Sequence, residues 1–104
     1  MIIPTQDYDL SKSFYQDLGF DLLSCDGQAA NFEYKGVFFE LREKCQFDGE
    51  YFIECCVENL RDWHRSWIRT GVFNKYNADI STINQQEFFL QDPSGITLCI
   101  TESV

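Results

Sequence analysis

The chain has 104 residues, enough for one compact domain or two small halves sharing a core, and too few for two independent domains. Ten Phe, five Tyr and two Trp can fill a core without disulfide staples, and no apolar run approaches the roughly 20 residues of a membrane span. The formal charge of −9 argues against nucleic acid, which needs clustered Lys and Arg to displace counterions, and it favours solubility and the approach of cations.

The opening segment "MIIPTQDYD" lacks the basic start and apolar stretch of a signal peptide, so a soluble, cytoplasmic protein is expected. A short strand, "IIPTQ", comes first. Asp7 or Asp9 then caps a helix carrying Leu10, Phe14 and Leu18 at i, i+4 and i+8, and Gly19 ends it. Strands follow in "FDLLSC", "AANFEYK" and "GVFFELR". The second half begins again with a strand, "YFIECCV". Asn59 caps the next helix and Asp62 complements its dipole. Leu60, Trp63, Trp67 and Ile68 form its apolar stripe, and Gly71 stops it. A strand near 76–82 is predicted within the polar segment 73–85, and then "EFFLQ" and "ITLCITE".

The segments "GVFFELRE" (36–43) and "GITLCITE" (95–102) share one pattern: Gly, alternating apolar residues, then Glu. The two helices match as well, each with an Asx cap, aromatics and a closing Gly. The chain therefore reads as one βαβββ unit written twice, over 1–47 and 48–104, an α+β fold in a single domain.

Cysteines number five: Cys25, Cys45, Cys55, Cys56 and Cys99. They form no C-x-x-C pair and no Cys/His cluster, which speaks against a structural zinc site. Reduced, mostly buried thiols are expected, with Cys55 and Cys56 on opposite faces of a strand.

"SFYQDLGF" after the first strand and "FFLQDPSG" in the last hairpin, at this spacing, resemble the vicinal oxygen chelate superfamily, which includes glyoxalase I, extradiol dioxygenases and the bleomycin resistance proteins. "YFIECCVENL" and its aromatic-rich helix look most like the bleomycin-binding branch. The resemblance implies paired βαβββ units whose sheets curl into a cup, with helices outside. It also implies four metal-ligand positions in the enzymes of the superfamily. Glu40 matches one. Cys99 stands where the enzymes have Glu, Phe52 where they have His or another ligand, and the fourth position would fall before Met1. No metal, no cofactor and no catalytic residue is therefore expected. His64, the one histidine, falls on the helix that the superfamily places outside the cup.

With those positions facing inward, strand alternation assigns the rest. Phe38 and Arg42 join Glu40; Glu54 and Cys56 join Phe52; Thr97 and Thr101 join Cys99; Asn31 and Glu33 come from the neighbouring strand. Val37, Phe39, Leu41, Ile53, Cys55, Val57, Ile96, Leu98, Ile100, Ala30, Phe32 and Tyr34 go to the core. The expected ligand site is thus Glu33, Phe38, Glu40, Arg42, Phe52, Glu54, Thr97, Cys99 and Thr101. Its carboxylate surplus and aromatic walls suit a cationic or aromatic small molecule. A simpler alternative is that Glu40 and Arg42 neutralise each other on an open sheet face.

By resemblance, the expectation is a metal-free homodimer that sequesters its ligand, as in antibiotic resistance, in a groove between subunits. Two alternatives stand beside it. One is a metal-dependent glyoxalase or dioxygenase using Glu40 with Cys99 or Glu102. The other is a structural or interaction protein with a vestigial cup.

Overall fold

The computed structural model describes residues 1–44, 49 and 51–103. The expected unit boundary at 47/48 and Cys45 lie outside the described residues. Ten elements follow one another: β1 (Ile2–Thr5), α1 (Tyr8–Asp17), β2 (Asp21–Cys25), β3 (Ala29–Tyr34), β4 (Val37–Glu43), β5 (Phe52–Val57), α2 (Leu60–Thr70), α3 (Val72–Tyr76), β6 (Glu87–Gln91) and β7 (Thr97–Glu102).

Helix α1 starts where the sequence predicts. The Asp7 carboxylate accepts from the Leu10 N–H at 3.2 Å, satisfying one of the four unpaired donors of a first turn. Its buried face is Tyr8, Ser11, Phe14 and Tyr15, while Leu10 stays 41% exposed. A stripe spaced by four advances about 40° per step on a helix of 100° per residue, so its N-terminal member slides off the core.

The same drift corrects the stripe on α2. Leu60 and Trp67 are buried, but Ile68 is 53% exposed. Asn59 sits at the N-cap without a side-chain cap bond, and the Leu60 N–H is met instead by Glu102 Oε1 of β7 at 3.4 Å. Gly71 closes α2 at φ +75°, a left-handed conformation that costs glycine little.

Past that turn the sequence reading fails. Val72–Tyr76 is a helix that five residues could not announce as a periodic stripe, yet it buries Val72, Phe73 and Tyr76. The strand expected near 76–82 shrinks to one bridge, Ile80 to Leu90. Backbone bonds from Ser81 N to Phe89 O and from Gln91 N to Asp79 O flank it. Asn77, Ala78 and Asp79 in that segment are residue types depleted in strands.

The strands form two sheets, ordered β1-β4-β3-β2 and β5-β7-β6. In each, the first strand lies parallel to the last, Ile2 beside Glu40 and Phe52 beside Thr97. One hydrophobic cluster draws on both sheets and all three helices, and it is rich in edge-to-face rings such as Tyr15 on Phe39.

Polar ties lock the two sheets' segments together. Tyr15 donates to Asp92 Oδ2 at 2.7 Å, and the Trp67 indole donates to the Leu18 carbonyl at 3.2 Å. Thr5 Oγ1 lies 2.7 Å from Ser11 Oγ and 3.0 Å from Ser94 Oγ. The "DPSG" motif is thereby a structural device: Asp92 Oδ1 also accepts from the Ser94 and Ile96 amides. Burial pushes the Asp92 carboxyl above its ordinary range, against the opposing pull of those donors.

Candidate functional site

Alternation places the side chains of both sheets as the sequence predicts. Phe39, Leu41, Ile53, Cys55, Val57, Leu98 and Ile100 are buried, while Phe38, Arg42, Phe52, Glu54 and Cys56 are exposed. The faces turned away from the core are where a ligand would have to bind.

On the first sheet, a cavity of about 510 Å³ is lined by Met1, Ile2, Leu23, Ser24, Asn31, Phe38, Glu40 and Arg42, with parts of Phe32 and Phe39. Three of the expected site residues meet here: Phe38, Glu40 and Arg42. The Arg42 guanidinium lies against the buried Glu40 Oε2, and the Glu40 amide donates to the Met1 carbonyl at 2.9 Å. Glu33 does not line the cavity. Its Oε1 accepts from the Gly36 N–H at 3.0 Å, so it serves the β3–β4 turn. The first face is therefore apolar, with one internally balanced ion pair, and the neutralisation alternative is what Glu40 and Arg42 do.

The second sheet presents a different surface. Phe52 and Glu54 are exposed, and Thr97 and Thr101 are half-buried. Phe52 and Thr97 line a cavity of about 460 Å³ with Tyr51, Ser94 and Ile96. Thr97 also borders one of about 380 Å³ beside Phe89, Ile80 and Gln91. Glu54, Cys99 and Thr101 line neither. Thr101 Oγ1 donates to the Cys55 carbonyl at 3.4 Å.

Cys99 faces the predicted side yet is buried, because Glu54 and Phe89 flank it in the ladder. Its Sγ lies 3.8 Å from Glu87 Oε2. Burial, with the Glu87 and Glu54 carboxylates adding to it, pushes the Cys99 thiol up to about 11. It is a protonated thiol at neutral pH.

Neither cavity on the second sheet contains a residue of the first sheet. The nine expected residues thus fall into two groups on two surfaces.

Sequence reasoning missed most of the apolar part of both surfaces. Among the described residues, eight large apolar side chains are exposed, and six of them lie on these faces: Met1, Ile2, Leu23, Phe38, Phe52 and Phe89. Ile2 was accessible to inference, since β1 runs beside β4 with Ile2 opposite Glu40. Leu23 and Ser24 were not. A bulge between Leu22 and Ser24 brings both residues to the cavity, and strict alternation cannot do that.

The donor set does not fit a catalytic metal, which generally takes three protein ligands. Glu40 is held by Arg42, Cys99 is buried beside Phe89, and Phe52 has no lone pair to give. Among the described residues, no group of three or more His, Cys, Asp or Glu side chains is placed to hold a metal ion. His64 Nε2 is committed to the Ser81 carbonyl at 2.9 Å. No described helix is long and apolar enough to cross a membrane.

No protein-family model and no curated protein matches the sequence. Solved structures do match the fold. The bleomycin-binding protein of Streptomyces verticillus, complexed with copper(II)-bleomycin, is similar at a TM-score of 0.78 and 18% identity, over 99% of this chain and 93% of that one. A bleomycin resistance determinant encoded on the transposon Tn5 is similar at 0.69 and 18%, over 98% and 93%. Lactoylglutathione lyase from Agrobacterium tumefaciens is similar at 0.71 and 14%, over 99% and 90%. The chain has the glyoxalase/bleomycin resistance fold, which serves both an enzyme and binding proteins.

Proposed function

We propose that this chain is a metal-free, non-catalytic binding protein. It captures an aromatic or cationic small molecule in a groove that a second copy completes. The observation that carries this reading is the concentration of exposed apolar side chains on the two outer sheet faces, which hold six of the eight among the described residues, with Phe38 60% and Phe52 48% exposed. Apolar surface concentrated in this way marks a place that something covers.

The charges of the two faces support the choice of ligand. The first face is balanced by the Glu40–Arg42 pair. The second carries Glu54 and Glu87, and β5, β6 and β7 contain no Lys or Arg. A groove lined by the first face of one copy and the second face of the other would combine rings with uncompensated carboxylates, the environment an aromatic cation needs. The bleomycin-binding proteins of the same fold bind bleomycin, which makes that compound the first probe.

Mass measurement in solution and thermal melts with bleomycin and a panel of aromatic monocations test the reading. A dimer is expected, and ligand at a hundredfold excess over Kd stabilises by about 2.7 kcal/mol, enough to move Tm by more than about 10 °C. Phe38→Asp should lose both the dimer and the shift. A monomer whose Tm responds to none of these compounds would overturn the reading. A stoichiometric divalent ion in protein purified without chelator would favour the metalloenzyme instead.

A further inference from the structure

Helix α2 turns a second surface outward that the ligand groove does not use. Arg61, Arg65 and Arg69 recur every four residues and are all exposed, so they form one stripe on the side opposite Trp63 and Trp67. They are three of only eight Lys and Arg in a chain of net charge −9. Among the described residues, none of the three makes an ion pair or a hydrogen bond. In a protein of net charge −9, three unpaired guanidiniums at successive turns of one helix make a local positive surface.

Beside the stripe lies apolar surface. Ile68, one helical turn from Arg65, is 53% exposed. It forms the wall of a notch of about 210 Å³ shared with Gly71, Phe73, Asn74 and Ile80. The notch exists because Gly71 bends the chain from α2 into α3 and Ile80 closes the far side.

We propose that this face docks an acidic peptide segment of a partner protein, with one aliphatic side chain seated in the notch and flanking carboxylates on Arg65 and Arg69. Charge complementarity argues for the occupant: the stripe is the concentrated positive feature of an acidic molecule, and guanidiniums pair with carboxylates in two-pronged geometry. The stripe's length decides between occupants. From Arg61 to Arg69 it spans about 12 Å. A nucleic acid or an anionic lipid surface extends well beyond that and would be opposed by the rest of a molecule of net charge −9, whereas a short peptide need not reach so far.

The test is fluorescence polarisation with a short fluorescein-labelled peptide of glutamates around a single leucine. Controls replace the leucine by serine or the glutamates by glutamine. The parent peptide is expected to bind about tenfold tighter than either control. Arg65→Gln with Arg69→Gln, and separately Ile68→Ser, should each weaken it about tenfold, with unchanged circular dichroism because all three side chains are exposed. The proposal is overturned if the peptides bind alike or not at all, or if the arginine variant binds as well as the parent. Binding of phosphatidylserine vesicles or single-stranded DNA in place of the peptide would also overturn it. So would self-association abolished by the arginine variant, since a second copy would then be the occupant.

Discussion

The two sheets begin alike and finish differently. In each, the first and last strands run parallel with the third strand antiparallel beside them. The first sheet then gains a full fourth strand, β2, paired along β3. The second receives only two isolated bridges among the described residues, Ile80 to Leu90 and Asn84 to Glu87. The order of strands is thus set by the long, strongly alternating segments, and the outermost position can be filled by whatever satisfies the remaining edge. Here Ser81 does part of that work with its side chain, its Oγ accepting from the Phe89 N–H at 2.9 Å.

The sharpest way to break this comparison is to remove what the sheets share. Trp67 is buried among Trp63, Phe73 and Phe88 and donates to the Leu18 carbonyl. Trp67→Ala should cost about 3–5 kcal/mol, read from urea denaturation. If the sheets are one cooperative unit, amides of both lose exchange protection together. Protection lost in the second sheet alone would show that they stand separately.

A smaller effect tests the polar seam. Tyr15→Phe removes the hydroxyl that meets buried Asp92 and should cost about 1–3 kcal/mol. The sign with pH follows from the raised Asp92 carboxyl. Its contribution to stability is full below the unfolded value of about 3.9 and is lost as pH climbs through the higher folded value. The Tyr15 bond favours the charged form, so the variant's deficit should be larger at pH 7 than at pH 3. A deficit that does not change with pH would sink this account.

The smallest effect addresses the substitute edge itself. Ser81→Ala should cost about 1 kcal/mol or less and speed hydrogen exchange at the Phe89 amide. Exchange in the β3–β4 ladder should be unchanged. An unaltered Phe89 amide would mean that the Ile80 bridge, and not the Ser81 side chain, holds that edge.

Legibility in the sequence followed the same divide. Residues 37–42, 52–57 and 96–101 were sorted correctly onto two faces because a strand has period two and nothing interrupts these three. The helix caps at Asp7 and Gly71 were readable from residue type. What escaped depended on neighbours in space. Glu33 was expected to meet ligand, but the Gly36 amide takes it. Cys99 was expected to be accessible, but it is covered by the strand beside it. The outward drift of Leu10 and Ile68 reflects where each helix touches the core, which spacing alone does not reveal. The side chains were sorted between core and outer face, yet the sequence could not show that the two outer faces line separate cavities within one chain.

The bulge at Leu23 has a further consequence for how the molecule behaves at high concentration. Strand β2 is one of the two edge strands of the first sheet, and an unpaired ladder with leucine nearby is a template on which other chains can add and grow into fibres. The extra residue breaks the spacing of that ladder and increases its twist, so an incoming strand finds no continuous row of partners. The protein can therefore keep a greasy, open rim at this surface while resisting amyloid-like growth from it.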